Sequence, residues 1–490
     1  MTLEQLCASA LSRPHDQAAI EFNGAWRSWG DLRHIAESCC DQLQNCHIPP
    51  HSDIALIARN QPAAIAAFLG LISRGYNIRM VYPFQSGQCI AADLAQDPPA
   101  AVLAIDTDFC DSVLQTLATH DIAGIAFTDT GANIAYAARG ARNTSFSGIP
   151  TISILSSGTT GKPKPVALSY ALIARDIVGL SPTPSQQANE NLTPALLYFP
   201  LGNISGLYTT LPPLVHGLPV VLLDRFSLDA WRQHIVRYRP AVSGLPPAAI
   251  KMLLDADTPK ADLASLRYLG VGAAPLDANV QSTFEQRYDV TILMSYGATE
   301  FGGPVTRMTP QLLEQYGTQK AASVGKAMDG VELRVIDPES NDPKPTGATG
   351  LLEVKALRMG EHWIRTTDLA KLDEDGFLYH QGRADGAIIR GGFKILPETI
   401  ESALLKHPAI SASAVVGISD PRLGQVPVAA IVLKDKAGAL SDQELEAFLR
   451  RNVLTTHIPV AWRQIAALPR TPLSYKVDQA AVRQLFIQDP

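Results

Sequence analysis

The stretch Ser156-Ser157-Gly158-Thr159-Thr160-Gly161-Lys162-Pro163-Lys164 follows directly on the strand-like Thr151-Ile152-Ser153-Ile154-Leu155. Its glycines let backbone N–H groups approach an anion, its hydroxyls add donors and its lysines add charge, so it reads as a phosphate-cradling loop. It is not a Walker A loop. That pattern needs glycine where Ser156 stands and Ser or Thr after Lys162, where Pro163 sits. A strand that feeds such a loop belongs to an α/β layer.

Outward from the loop, the first 300 residues alternate apolar β-rich runs with amphipathic stretches. DIALIA precedes AAIAAFLGLISRG, AAVLAI follows, and LPVVLL leads into DAWRQHIVRYR. Such alternation predicts layered α/β structure with mostly parallel sheets. From about Ser323 the texture changes to short strands and turns (GVELRVID, GLLEVKA, TDLAKLDEDGFLYHQGR), with the acidic cluster Asp373, Glu374 and Asp375 read as a hairpin turn at Asp375-Gly376. Beyond Gly386 the expected order is strand (AIIRGG), helix opened by Pro397, two strands (ISASAVVGI, VPVAAIVL), helix (SDQELEAFLRRNV) and a last strand (WRQIAAL). That is a compact α+β module of about 105 residues. No Gly/Ser linker separates it, so a hinge rather than a tether is expected near Asp385. Neither an internal repeat nor a low-complexity tract is present.

Length and composition bound the rest. At about 150 residues per domain, 490 residues exclude a single small module. With 46% hydrophobic and 18% charged residues the chain is globular in composition, and 41 Lys+Arg against 47 Asp+Glu leave a net charge of −6 with no basic block, which argues against nucleic acid as a partner. The start, MTLEQLCASALSRPHDQAA, lacks the basic flank and apolar core of a secretory signal. The most apolar run, Ala63 to Ile72, is half a bilayer crossing and reads as a buried helix. No membrane span and a cytoplasmic location are therefore expected. All six cysteines lie in the first 110 residues without a C-x-x-C pair. Cys39, Cys40, Cys46 and His47 form a weak metal-ligand pattern inside a helix-like segment, where free cysteines behave as small apolar residues.

The loop does not stand alone. Tyr296-Gly297-Ala298-Thr299-Glu300, Gly270-Val271-Gly272-Ala273-Ala274-Pro275-Leu276, Thr367-Asp368, Gly382-Arg383-Ala384-Asp385, and Leu468-Pro469-Arg470-Thr471-Pro472 leading to Lys476 occur in the order of the motifs of the adenylate-forming superfamily. The chain resembles that superfamily, which includes acyl- and aryl-CoA ligases, peptide-synthetase adenylation domains and beetle luciferase. The matches run from about residue 150 to 478, and ALIARNQPAAIAAFLGLISRGYNI fits as well.

The resemblance implies a large N-terminal domain of layered α/β subdomains plus a β-rich subdomain (1–384), and a small mobile α+β lid (385–490) hinged at Asp385. It implies ATP, Mg²⁺ and CoA as reactants, with a small carboxylic acid as substrate and a carrier-protein thiol or an amine as the alternative acceptor. Nucleotide contacts fall on Ser156, Ser157, Gly158, Thr159, Thr160, Gly161, Lys164, Gly272, Ala273, Ala274, Pro275, Tyr296, Gly297, Ala298, Thr299, Asp368, Tyr379, Arg383 and Lys476. Lys476, Thr299, Glu300 and Arg383 are the expected catalytic groups, and Glu300 is also the expected magnesium ligand. Arg390, Gly391 and Gly392 fall at the thiol channel. By position the acyl pocket draws on Asn203, Ile204, Ser205, Val271, Gly272, Ala273, Gly297, Phe301 and Gly302, a set without charge.

These assignments agree with the chemistry of the residues. A carboxylate is a poor electrophile, and joining it to AMP brings two anions together, so a cation such as Lys476 must bridge them. Glu300 offers a hard oxygen for Mg²⁺. Ionised Asp368 is acceptor-only, which suits two ribose hydroxyls, and Arg383 can reach ribose or phosphate. For Tyr379 a core position and a nucleotide contact are both open. Three positions depart from the family pattern: Pro165 stands for a glycine, Asn203 for a histidine, and Tyr475 for the glycine before the lysine. Gly270-Val271-Gly272 also suggests a dinucleotide fold, but Pro275 replaces the third glycine that fold needs.

Overall fold

The computed structural model describes residues 1–83, 86–138, 148–155, 164–179, 193–273, 276–320, 322–384, 386–390, 393–420, 423–435, 437–453, 455–471 and 476–487. The chain forms two compact units. The first comprises Met1–Gly270, Phe284–Thr291 and Gly297–Pro304, and the second Val271–Thr283, Ile292–Tyr296 and Val305–Pro490.

In the first unit a seven-stranded sheet runs in the order Gly131–Tyr136, Ala123–Thr128, Ala101–Ala104, Asp53–Ile57, Asn77–Val81, Thr151–Leu155, Pro165–Ser169. Its five central strands pair in parallel, and an antiparallel strand closes each edge. The strands from Ala101 and from Ile54 are buried throughout, as expected for a parallel sheet covered on both faces. Helix Pro62–Ser73 is buried all round and opens on a proline, whose missing N–H costs nothing at the first turn. Its Gly70 lies so close to helix Trp29–Asn45 that a Cβ there would stand 3.0 Å from Ala36. That second helix starts in a capping box of Ser28 and Asp31 and turns Leu32, Ile35, Ala36, Cys39, Cys40 and Leu43 inward. Cys39 and Cys40 are thus core residues, and burial pushes both thiols up, Cys40 to about 11. A four-stranded sheet, Ala195–Leu197, Val220–Leu222, Ala18–Phe22, Ala25–Ser28, also belongs to this unit.

The second unit holds an antiparallel sheet in chain order, Val331–Ile336, Gly350–Ala356, Ile364–Leu372, Leu378–Arg383. Its acidic cluster is the expected turn: Lys320 Nζ lies 2.6 Å from Asp373 Oδ2 and 2.8 Å from Asp375 Oδ2. The last hundred residues follow the anticipated order. Strands Ile410–Asp420 and Gly424–Leu433 form a long hairpin, flanked by Ile388–Arg390 on one side and Trp462–Gln464 in parallel. Helices Pro397–Leu404 and Asp442–Arg450 cover one face through Ile400, Leu404, Leu445 and Leu449. Helix Gln479–Gln484, not legible beforehand, adds Val482 to a second cluster with Val416 and Val428. Among the described residues, no helix is long and apolar enough to cross a membrane.

Glu401, on helix Pro397–Leu404, accepts from the Val415 N–H at 2.7 Å. Burial pushes its carboxyl up to about 8 despite that bond, and Glu398 one turn earlier adds to the rise. The folded state therefore binds this proton more tightly than the unfolded chain. Its stabilisation is complete below the ordinary value of 4.5 and is lost as pH rises through about 8. Glu401→Gln keeps the neutral, hydrogen-bonding form. It is expected to stabilise the protein on the order of 1–3 kcal/mol at pH 8.5, with no gain at pH 4, as scanning calorimetry at the two pH values would show.

Candidate active site

The ends of the strands carry the functional segments. Leu155 and Pro165 are register partners, so the phosphate-loop candidate joins two paired strand ends. Ser156, Ser157, Gly158, Thr159, Thr160 and Gly161 lie outside the described residues; Lys164, at the loop's exit, is exposed. Pro165 is the first residue of an edge strand, where its missing N–H is tolerated.

Asn60, a residue the sequence did not single out, fixes the neighbouring segment. Its Nδ2 donates to the carbonyls of Phe199 (3.1 Å) and Leu223 (3.2 Å), and its Oδ1 accepts from the Leu201 N–H (3.1 Å). It is 4% exposed. Beside it Arg59 forms a two-pronged pair with Asp108. Behind the segment held by Asn60, helix Ile204–Val215 begins, and Asn203 is its cap, with Oδ1 accepting from the Gly206 N–H at 2.6 Å. A Cβ on Gly206 would stand 2.0 Å from the Pro200 carbonyl oxygen, so glycine is required there. Ile204 and Ser205 are half-buried in the first helical turn.

Tyr208, on the same helix, donates to the Gly302 carbonyl at 3.1 Å. Gly302, at φ +68, ends the short turn Thr299–Phe301 that carries Glu300. Gly303 is needed because a Cβ would meet the Tyr208 ring at 2.2 Å. Thr299 and Glu300 are half-buried and Phe301 is fully buried. Gly297 and Ala298 end the strand before the turn, and a Cβ on Gly297 would lie 2.5 Å from Gly303 O.

In the second unit the glycine-rich loop follows strand Tyr268–Val271. Val271 is buried, Gly272 packs so tightly that a Cβ would touch Ser295 Oγ at 2.5 Å, and Ala273 holds φ +67, a left-handed conformation rare outside glycine. Ala274 and Pro275 lie outside the described residues.

Tyr296 and Asp368 meet: the phenol donates to Asp368 Oδ2 at 2.5 Å. His380 faces the other oxygen, with Nε2 3.6 Å from Asp368 Oδ1 and its ring 6.0 Å from that of Tyr296. Tyr379 lies elsewhere, its hydroxyl donating to Asp373 Oδ2 at 3.2 Å. His380, a residue the sequence did not single out, is thus the ring beside the aspartate, while Tyr379 bonds the turn at Asp373. Arg383 pairs through its backbone with Asp368; its side chain lies outside the described set.

Lys476 closes a loop whose neck is the Thr471 N–H bond to the Lys476 carbonyl (2.8 Å) and the Arg470–Val477 bridge. Tyr475, Asp385, Gly391 and Gly392 lie outside the described residues. Arg390 donates to the Thr456 carbonyl at 2.6 Å, which anchors its side chain within the C-terminal module.

The family model of the AMP-binding enzymes matches residues 7–359, and that of their C-terminal domain matches residues 399–473. The chain belongs to the AMP-binding enzymes. Among curated members, sulfoacetate–CoA ligase of Cupriavidus necator is 32% identical over 66% of this chain and 65% of its own length. The chain thus spans just under two thirds of that relative. The 2-succinylbenzoate–CoA ligase of Bacillus velezensis is 28% identical over 93% of this chain and 92% of its own. A solved o-succinylbenzoate–CoA synthetase from Bacillus subtilis, in complex with ATP and magnesium, superposes with a TM-score of 0.78 at 21% identity, covering 98% of this chain and 99% of that one. This AMP-binding enzyme therefore has the mixed α/β fold of adenylate-forming enzymes, a large N-terminal domain followed by a smaller C-terminal one.

Asn60→Ala removes three buried hydrogen bonds at about 1 kcal/mol each. The expected outcome is a loss of about 3 kcal/mol in chemical denaturation, with Arg59→Lys affecting stability less.

Proposed function

We propose that this enzyme is an ATP-dependent carboxylic acid:CoA ligase that forms an acyl-AMP, releases pyrophosphate and passes the acyl group to the thiol of CoA. The ordered motifs from Ser156 to Lys476, in a chain that aligns almost end to end with a 2-succinylbenzoate–CoA ligase, carry this reading. The curated relatives act on dissimilar acids, so the acid follows from this chain's own residues. Asn203, Ile204, Ser205, Val271, Phe301 and Gly302 include no charged side chain, which favours an apolar monocarboxylic acid: aromatic, alicyclic or medium-chain. Asn203, at the proposed pocket mouth, has no titratable ring, and its oxygen is engaged as the cap of its helix.

In this scheme Asp368 accepts from the ribose hydroxyls, Tyr296 presents a ring to the adenine, and the 156–164 loop with Lys164 and Thr299 holds the phosphates. Lys476 and Arg383 offset the negative charge that accumulates as the carboxylate oxygen attacks the α-phosphorus. A carboxylate from Glu300 is a fitting protein ligand for magnesium, which takes one or two carboxylates and fills its remaining positions with water and phosphate oxygens. When bound, the ion neutralises phosphate charge. Residues 385–490 act as a lid pivoting at Asp385, with Arg390, Gly391 and Gly392 lining the path of the thiol. Such an enzyme works in the cytoplasm, where ATP and CoA are available.

Carboxylate-dependent exchange of labelled pyrophosphate into ATP across a panel of acids tests the first half-reaction. Lys476→Ala is expected to lower exchange by about 10²-fold or more while Mg·ATP binding stays within about threefold of wild type; full exchange activity in the variant would remove the lysine from the mechanism. Supplying free CoA and weighing the product separates thioester formation from transfer to a carrier protein or an amine. Acyl-AMP that accumulates without thioester would favour the latter.

A further inference from the structure

Asp368 is gripped from several directions. Tyr296 donates to Oδ2, the Asp368 N–H donates to Thr366 Oγ1 at 3.0 Å, and His380 Nε2 stands 3.6 Å from Oδ1. The other ring nitrogen of His380, Nδ1, accepts the Gly382 N–H at 3.2 Å. A ring nitrogen that accepts carries no proton, so in the neutral imidazole the proton sits on Nε2 and points toward Asp368. Both side chains are 17% exposed, so little water competes for this approach.

A slip in strand pairing produces the arrangement. Asp368 pairs with Arg383 but Ala370 pairs with His380, which leaves Leu369 opposite the two residues Gln381 and Gly382. This is a bulge, a device that redirects a side chain. Gly382 makes it possible: φ is +98, and a Cβ would stand 2.7 Å from a Glu398 oxygen. The His380 Nδ1 bond to Gly382 then closes the bulge on itself.

We propose that His380 is a positioning residue for Asp368, setting the carboxylate's rotation so that it accepts from the ribose, and that the pair lets this enzyme distinguish ribose from deoxyribose. The proposal rests on the assignment of Asp368 to the ribose. With Oδ2 engaged by Tyr296, rotation about the carboxylate bond is limited only if the second oxygen also has a donor in view. His380 supplies it. The 3.6 Å separation is too long for a direct hydrogen bond and matches a donor that tightens, or is bridged by a hydroxyl, when the nucleotide arrives.

The test is calorimetric binding of Mg·ATP and Mg·2′-deoxy-ATP to the full-length protein, which needs no knowledge of the acid. Wild type is compared with His380→Leu, His380→Gln and Asp368→Asn, with melting curves as a check on folding. His380→Leu is expected to weaken ATP about tenfold and 2′-deoxy-ATP much less, so that the preference narrows. His380→Gln, whose amide keeps a donor, recovers most of it. If His380→Leu binds ATP as wild type does, or weakens both nucleotides equally, while Asp368→Asn loses ATP selectively, His380 is no positioning residue and the ribose assignment stands. If Asp368→Asn leaves ATP binding unchanged, the ribose assignment itself falls and takes the proposal with it. Should His380→Leu fold poorly, His380→Phe, which keeps an aromatic ring but offers no donor, takes its place: a narrowed preference for ATP over 2′-deoxy-ATP upholds the proposal, and a wild-type preference overturns it.

Discussion

One carboxamide connects the strand ends on which the first unit's functional segments stand. Asn60 follows the central strand Asp53–Ile57 of the seven-stranded sheet, and its three bonds reach the chain just beyond strands Ala195–Leu197 and Val220–Leu222 of the four-stranded sheet. Its neighbour Arg59 reaches Asp108, four residues past strand Ala101–Ala104. Two consecutive side chains thus bind the carboxyl ends of four strands in two sheets. In parallel α/β layers those ends are where ligands bind, because loops there are free to vary while the strands fix their bases. The segment from Phe199 to Asn203 inherits its position from this link, and the helix carrying Ser205 and Tyr208 starts from that segment. The turn bearing Glu300 is then held by the Tyr208 bond to Gly302.

Much of this was legible before any coordinates. Strand and helix alternation specified the layers, since a buried parallel strand must be apolar on both faces and a helix must follow it. The C-terminal order of elements was readable for the same reason. What could not be read was tertiary partnership. Asn60 looks like any loop asparagine until Phe199 and Leu223, more than a hundred residues away, present carbonyls to it. His380 was hidden by the bulge: simple alternation gives no reason to prefer one strand face. Gly382 is the one local signal of the irregularity, because an isolated glycine in a strand marks a bulge or a close approach. The helix near residue 480 was missed for want of length, six residues being too few for a period to show.

The net charge of −6 also takes on a different meaning. Beyond arguing against nucleic acid, it makes local compensation of charge the central electrostatic problem for a site proposed to hold a triphosphate. The fold solves parts of that problem by engaging its own acids. Lys320 ties Asp373 and Asp375 into a turn, and Arg334 and Arg365 hold Glu353, where the cost of burial is outweighed and the carboxyl stays below its ordinary range. Carboxylates neutralised in this way contribute little repulsive field toward an anionic ligand. Lys164, Arg383 and Lys476 are placed by sequence in the segments proposed to meet that ligand.

The proposed pivot at Asp385 is constrained by the bonds on its N-terminal side. The strand that ends at Arg383 is tied to Asp368 by pairing and to itself by the His380–Gly382 contact, and the Ala384 N–H still bonds the Thr367 carbonyl at 2.6 Å. Ala384 also packs against the cluster of Ile336, Leu351 and Leu369. A rotation centred before residue 384 would break ladder bonds and disturb the aspartate proposed to hold the ribose. Centred one residue later, it leaves both in place. If nucleotide contacts are to survive between the two proposed half-reactions, a pivot beyond the last ladder bond meets that requirement, and the proposed hinge at Asp385 is such a position.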